Sequence, residues 1–400
     1  MSRNETLLFL NAAHFFDHFF LLIFPTAALA IAAEGGMSYG TALALGTPVY
    51  VAFALGTLPA GWLGDRYDRT VLTAMFFLGC GSASALIALS PNQAAMMTGL
   101  AALGLFAALY HPVGLALVAD VAVRTGRALA VNGVFGNLGL AGAAVVTGLL
   151  CDHLGWRSAF LIPGLLSMGL GALLLTRRLR LGPAESRRDL GQQDRTVDAA
   201  RRTQLTVFAV VCVSALFGGL VFNAVTVSLP KLFDERLALL GGDLSRIGAY
   251  AGLVFAVAAF AQLPVGELLD RYGARPILIL LLSAQAILLV GLAGAEGWLV
   301  VVLALPLVTL MFAEIPVTSW LLGRYVQSGL RARAISAEYV LSLGIGSGVV
   351  PLIAGLHGLG IGSDIQYRGL ALSALVVFAA AWFLPRLQRP RATAAPQAAE

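Results

Sequence analysis

Leu58-Pro-Ala-Gly-Trp-Leu-Gly-Asp-Arg-Tyr67 returns as Leu263-Pro-Val-Gly-Glu-Leu-Leu-Asp-Arg-Tyr272, an offset of 205 positions (58 to 263). Seven of the ten positions are identical, and each copy closes a long apolar run. The repeat reads as one membrane unit duplicated and fused. Polytopic chains built from two parallel halves commonly alternate access to a central site, so a transporter is expected.

Composition agrees with a membrane protein. Hydrophobic residues make up 58% of the chain and charged residues 12%, against about 25% charged in typical soluble domains. Runs of the roughly 20 apolar residues that a bilayer-spanning helix needs fill nearly the whole length. The first run, Leu7 to Ala33, exceeds a signal-peptide core of about 7–15 residues and carries Asp17 and two histidines, so it is expected to remain as a membrane helix. Cys80, Cys151 and Cys212 are scattered without disulfide-like or metal-like spacing.

Apolar runs between charged or Pro/Gly breaks predict twelve helices. Their approximate spans are 7–33, 39–63, 70–90, 93–120, 127–150 and 157–177, then 204–233, 245–269, 275–294, 297–325, 333–356 and 363–385. The expected organisation is an N-terminal six-helix bundle over 1–177, a polar linker over 178–203, a C-terminal six-helix bundle over 204–385 and a disordered tail over 386–400. The linker is rich in Arg, Asp and Gln and has room for a short amphipathic helix. Placing both termini, the linker and the two Asp-Arg-Tyr loops on the cytoplasmic side puts all 26 lysines and arginines inside except Arg157, Lys231, Arg236, Arg246 and Arg368. That is the positive-inside pattern, and it accounts for the net charge of +5 without an acidic partner.

Over essentially the whole chain these features resemble the major facilitator superfamily. Gly61-Trp-Leu-Gly-Asp65-Arg66-Tyr-Asp-Arg69 resembles its loop motif between helices 2 and 3, and Gly266-Glu-Leu-Leu-Asp270-Arg271-Tyr-Gly273-Ala-Arg275 the counterpart between helices 8 and 9. Gly155-Trp156-Arg157-Ser-Ala-Phe160 resembles the short motif entering helix 6. The resemblance implies an all-α fold of two pseudo-symmetric six-helix bundles and a monomer in the cell inner membrane. Asp68 departs from the family's usual Gly, and Thr70 from a common basic residue. Near Leu100 there is no counterpart of the helix 4 arginine of drug/proton antiporters, nor is their Gly-Pro-x-x-Gly-Gly of helix 5 present. Gly133, Gly136, Gly139 and Gly142 recur there instead, small residues that let helix backbones approach closely. Gating is expected from Asp65 with Arg66, Arg69 and Arg124 or Arg127, and from Asp270 with Arg271, Arg275 and Arg333, through charge-assisted pairing at helix ends. Ordinary solvated ion pairs, worth under about 1 kcal/mol each, are the plainer reading.

Charge inside a bilayer is costly and usually faces a cavity or a partner. Asn11, His14, Asp17 and His18 are spaced by three and four residues, on one helical face. His14, Asp17 and His18 suit a divalent cation, a proton or an anionic substrate; a shallow, purely structural cluster is the alternative. At the same offset Pro25 maps to Pro230, but His18 maps to Asn223 and Asp17 to Phe222, so the ionisable function is asymmetric. Tyr110-His111-Pro112 in helix 4, where proline frees a backbone carbonyl, resembles with helix 1 the fosmidomycin-resistance-like branch, which implies efflux. Glu314, two residues before Pro316, matches the depth of Tyr110 when the two prolines are aligned and is the first candidate for proton coupling. Glu338 is a second candidate, or else an ion-pair partner of Arg331 or Arg333. Asn132, Asn137, Asn223, Gln262 and Gln285 read as helix–helix hydrogen bonds, and Phe15, Phe16, Phe19 and Phe20 as lipid-facing or cavity-wall residues.

No phosphate-binding Gly-x-x-x-x-Gly-Lys-Ser/Thr, His-Glu-x-x-His or Gly-x-Ser-x-Gly occurs, so neither an ATP-driven pump nor an enzyme is expected. No cofactor is implied. The expected partners are a small-molecule substrate, protons and the lipid bilayer, with no nucleic acid. The leading expectation is a proton-coupled secondary transporter, exporting if the branch resemblance holds, with Asp17, His14, His18 and Glu314 in the coupling. Transport of a divalent metal or chelate through the His14/Asp17/His18 cluster is the second, and a transport-dead sensor or assembly factor the third.

Overall fold

Hydrocarbon offers no hydrogen-bond partners, so a spanning segment has to satisfy its own backbone, and the computed structural model does this with helices throughout. It describes residues 2–123, 125–180, 201–237, 243–326 and 328–386, and no strand occurs among them. Twelve helical spans are long and apolar enough to cross a membrane. The N-terminal half holds α1 (Arg3–Gly35), α2 (Tyr39–Arg66), α3 (Arg69–Ala88), α4 (Gln93–Val121), α5 (Arg127–Leu154) and α6 (Trp156–Arg178). The C-terminal half holds α7 (Arg201–Arg236), α8 (Leu244–Tyr272), α9 (Ala274–Ala293), α10 (Trp298–Tyr325), α11 (Ser328–Gly358) and α12 (Ser363–Ala381). The two halves form pseudo-symmetric six-helix bundles. The helices flanking the linker run a few residues past their apolar cores, because arginine stems can lie along the apolar surface while their heads reach water. Most of the expected linker and nearly all of the expected tail lie outside the described residues.

Side-chain caps set where the helices begin. Ser2 and Glu5 form a reciprocal capping box at α1. Ser38, Asp68, Asn92 and Asp243 each accept backbone N–H bonds at the starts of α2, α3, α4 and α8. Gly36 (φ 59°) and Gly155 (φ 80°) take the left-handed turns that end α1 and α5. Just beyond Gly155, Arg157 lies over the Trp156 ring (4.3 Å) and pairs with Glu34 (3.0 Å). The Gly-Trp-Arg motif thus ties the start of α6 to the end of α1.

Small residues bring the backbones together. In the N-terminal half, a Cβ on Gly81 would lie 2.5 Å from the Gly164 carbonyl, and Ser84 and Ser167 donate across to Phe160 O (2.7 Å) and Phe77 O (2.8 Å). The glycines of α5 behave as expected: a Cβ on Gly139 would lie 2.2 Å from Phe15 O, and one on Gly142 2.7 Å from the Phe15 ring. Between the halves, Cβ atoms on Gly248 and Gly148 would each come within 2.2 Å of the facing backbone, at Ala144 O and Leu244 O. Asp152 adds bonds to the amides of Leu244 and Ser245. Gly40 of α2 likewise abuts Ala354 of α11. These contacts between halves gather at the end where α1 meets α2, away from Asp65 and Asp270.

Among the described residues, four spans break their regular helix, α2 near its start and α4, α7 and α8 farther in. The break in α2 falls after Ala44, and that in α8 falls between Ala258 and Gln262. Five-residue π turns occupy Tyr110–Gly114 of α4 and Ser214–Gly218 of α7. Such turns re-aim side chains and are frequent at functional sites.

Candidate functional site

The re-aimed segments border one cavity of about 340 Å³ lying between the halves. From the N-terminal half it is lined by His14, His18, Tyr50, His111 and Asn137, and from the C-terminal half by Asn223, Gln262, Gln285, Glu314 and Glu338. Of the sequence-predicted candidates, His14, His18, His111, Glu314 and Glu338 therefore meet in one chamber, whereas Asp17 and Tyr110 lie behind its wall and Asn11 lines a separate cleft.

On the N-terminal side, α1, α4 and α5 converge on Asn132, which is fully buried. Its Nδ2 donates to Leu10 O (3.1 Å) and Asn11 Oδ1 (3.0 Å). Its Oδ1 accepts from His14 Nδ1 (2.9 Å) and stands 2.9 Å from the Tyr110 hydroxyl. His14 Nδ1 is also 2.8 Å from Asn132 O. Both neighbours are acceptors, so Nδ1 carries the proton and Nε2 is the lone-pair nitrogen. The close packing depends on Gly136, where a Cβ would lie 2.5 Å from His14 Nε2.

His111, carried on the π turn, reaches across to Asp17: Nε2 lies 3.1 Å from Oδ2, with the N–H axis off line. Asp17 is 0% exposed, and neither of its carboxylate oxygens has a hydrogen-bond partner of good geometry among the described residues. The His111 ring is its nearest source of positive charge. The rings of His14, His18 and His111 complete a tight group, with centroid separations of 4.9 Å (14–18), 5.4 Å (14–111) and 5.7 Å (18–111). Phe15, Phe16, Phe19 and Phe20 line no part of the cavity; Phe19 and Phe20 are core residues, and Phe15 packs on the α5 glycines.

The C-terminal side is sparser. Gln285 Nε2 donates to Glu314 Oε2 (3.1 Å), and the other carboxylate oxygen points toward Gly218 in the π turn of α7. Glu338 lines the same chamber; the side chains of Arg331 and Arg333, its expected partners, lie outside the described residues. Asn223 donates to Gly219 O of its own helix (2.9 Å). Of the five amides expected to bond between helices, Asn132 and Gln285 do so, whereas Asn223 and Gln262 bond within their own helices.

The repeated loops are built differently. In the first, Arg69 donates to Gly64 O (3.1 Å), pairs with Asp120 at the end of α4, and stands 3.9 Å from the exposed Asp65. Arg66 lies over the Trp62 ring (4.0 Å). Asp68 accepts from the amides of Thr70 (2.8 Å) and Val71 (3.2 Å) while its Oδ2 takes Arg178 Nε (2.9 Å). Burial alone would lift the Asp68 carboxyl; the Arg178 bond and the two amides outweigh it and hold it below the usual aspartate value. In the second loop Asp270 accepts from the Trp320 indole (2.8 Å), Arg271 lies near the Tyr272 ring, and Arg275 approaches Leu384 O (3.5 Å). Arg124 and the Arg333 side chain lie outside the described residues. Arg127 lines, with Arg3 and Asn11, a separate cleft of about 450 Å³ at this end of the N-terminal half.

Sequence reasoning did not single out Asn132 as the centre of the network, nor Asp120 and Arg178 as the partners of the first loop. Asn132 carried a signal in retrospect, being an amide within an apolar run immediately before the glycine series that begins at Gly133. The pairings of Asp120 and Arg178 are tertiary, and no local pattern points to them.

The family model for the Major Facilitator Superfamily matches residues 7–239. The puromycin resistance protein pur8 of Streptomyces alboniger is 34% identical over 143 residues, 34% of this chain and 28% of that protein. The tetracenomycin C resistance and export protein of Streptomyces glaucescens is 33% identical over 132 residues, 32% of this chain and 24% of that protein. A probable 4-methylmuconolactone transporter of Cupriavidus pinatubonensis is 26% identical across 66% of this chain and 62% of its own. The matches thus span about a quarter to three-fifths of these relatives' lengths. Among solved structures, an inward-facing bacterial homolog of the human lysosomal transporter Spinster superposes with a TM-score of 0.69 at 14% identity, covering 96% of each chain. A D-xylose–proton symporter gives 0.69 at 16% identity, covering 94% of this chain and 98% of its own.

Proposed function

The chain belongs to the Major Facilitator Superfamily, and we propose that it is a proton-coupled exporter of an organic small molecule, working by alternating access. The observation that carries this reading is the single chamber between the halves, with histidines on one wall and carboxylates on the other. Substrate binds against the His14, His18 and His111 wall. Glu314 carries the proton: it is held by one neutral amide, and a carboxylate in a low-dielectric wall crosses between access states at least cost when neutral. Tight glycine contacts at the Gly40 and Gly248 end close one side of the chamber in this state, and the Asp65 and Asp270 loops lie at the opposite end.

The likeness to a puromycin resistance protein and to a tetracenomycin C resistance and export protein supports the export reading, and the likeness to a 4-hydroxybenzoate transporter adds aromatic acids to the cargo to be tried. The distribution of arginines supports a bacterial inner-membrane protein with both termini in the cytoplasm, and a monomer is the simplest assembly. The test is transport in proteoliposomes bearing an imposed pH gradient, with puromycin and aromatic acids as probes. Gradient-driven accumulation that a protonophore abolishes is expected. Flux of a bound probe that ignores the gradient would overturn the coupling, and flux of no organic probe would overturn the cargo class.

A further inference from the structure

The three imidazoles do more than line a wall. We propose that His14, His18 and His111 form a binding site for a borderline divalent transition cation such as zinc, nickel or cobalt, received as the bare ion or as the open-coordinated metal of a small organic chelate.

Geometry comes first. One nitrogen from each of the three rings can be chosen so that all lie within 4.8 Å of one another. Two imidazole nitrogens on a tetrahedral zinc, each 2.0–2.1 Å from it, sit about 3.3 Å apart. Rotations within the broad χ2 wells of histidine cover the difference, and the chamber beside the rings leaves space for the remaining ligands of a chelate.

The second observation is how the rings are held. A metal-binding histidine donates its other N–H to a carbonyl or carboxylate, which fixes the tautomer and raises the basicity of the ligating nitrogen. His14 does so through Nδ1 to Asn132 O and Oδ1, which presents Nε2 as the ligand atom. His111 has the Asp17 carboxylate at its edge, with Nε2 3.1 Å from Oδ2 and the N–H off line. One ring is thus fixed by hydrogen bonds and another is backed by a buried carboxylate.

The third is the charge balance. Asp17 is wholly enclosed, and its Oδ1 lacks a hydrogen-bond partner among the described residues. A lone carboxylate in such a place is costly. A divalent cation on the far side of the His111 ring supplies the missing positive charge through the imidazole. An all-nitrogen first shell with a carboxylate behind it suits zinc, nickel, cobalt or copper and discriminates against magnesium and calcium, which prefer oxygen.

The site borders the chamber assigned above to transport, but metal binding is measured without flux, so it stands or falls independently of proton coupling and of the organic cargo. The experiment uses untagged, chelator-stripped protein in detergent, titrated with cobalt chloride while visible d–d absorption and calorimetric heat are followed. A parallel titration uses nickel nitrilotriacetate, which keeps two positions open for imidazoles. One cobalt per chain with the intense bands of low-coordinate nitrogen ligation is expected, and magnesium should not compete. Binding of cobalt supports bare-ion recognition; binding of the nickel chelate alone supports the chelate. Because His14→Ala would also disturb the Asn132 network, His18→Ala and His111→Gln are the diagnostic variants. Each should weaken binding at least tenfold, and His18→Ala, which leaves the Asp17 and Asn132 contacts in place, should retain the parent's metal-free melting temperature. Absence of binding by both probes, or unchanged affinity in both variants, would overturn the site.

Discussion

The two halves share a scaffold and differ in chemistry. Both keep a proline buried deep in their first helix, Pro25 and Pro230, and both press glycines against the seam between halves. Beside the chamber, among the described residues, the N-terminal half carries the denser polar network: Asn132 holds Asn11, His14 and Tyr110, and Asp17 stands against His111. The corresponding face of α7 presents Phe222 and an Asn223 bonded to its own helix. The π turns are equally unmatched. One lies in the fourth span of the first half and the other in the first span of the second, while α1 and α10 continue as regular helices. Contacts that position backbones meet the same packing demand in both halves. Side chains facing the chamber do not, and one wall carries the histidines and the other the carboxylates.

That comparison can be broken at the seam. Gly248→Val and Gly148→Val each drive a side chain into the backbone of the opposite half. Each should destabilise the protein by about 3 kcal/mol or more and abolish flux, whichever half carries the change. Gly169→Val, with nothing near its Cβ position, serves as the silent control. Thermal melting in detergent separates the three.

It can be sharpened at the networks. Asn132→Ala removes the side-chain bonds to Leu10 O, Asn11, His14 and Tyr110, although His14 Nδ1 keeps the backbone oxygen of residue 132 and the Tyr110 hydroxyl keeps Leu10 O, and should lower stability by about 2 kcal/mol. Asn223→Ala removes one bond within a helix and should cost under about 1 kcal/mol. Equal losses would mean that the polar asymmetry is only apparent.

The smallest effects distinguish the two loops. Asp68 occupies the position that Gly273 holds in the second copy, where φ is +78°. Gly273→Ala should cost about 1–2 kcal/mol in backbone strain. Asp68→Asn keeps the cap but loses the charged pairing with Arg178. Because the folded carboxyl titrates below the unfolded one, the stability it adds is fully present above about pH 4, the ordinary aspartate value. It is lost as pH falls through the folded value. Melting curves of parent and variant should therefore diverge at neutral pH and converge in acid.

The fold was almost wholly legible in the sequence, because bilayer thickness and the ten-residue repeat leave few alternatives for twelve apolar runs. The candidate site was legible in its members but not in its wiring. His14, Asp17 and His18 share a face by helical spacing alone, and Glu314 is conspicuous as a charge in hydrocarbon. The pairing of Asp17 with His111 depends on a π turn that no local periodicity announces. The role of Asn132 depends on the glycines of α5 bringing two helices into contact. The first loop shows the same limit: Asp68, marked as a departure from a pattern, caps α3 and grips Arg178, while Asp65 stays exposed at 3.9 Å from Arg69.

The division of labour between the walls is tested most directly by comparing two transport modes in proteoliposomes for Glu314→Gln and Asp17→Asn. Equilibrium exchange of labelled substrate needs binding and access but no net proton movement; accumulation against a gradient needs both. Glu314→Gln should retain exchange within about threefold of the parent while losing accumulation driven by a pH gradient. Asp17→Asn should lose both through weakened binding. Undiminished gradient-driven accumulation by Glu314→Gln would contradict the assignment of the proton to the C-terminal wall.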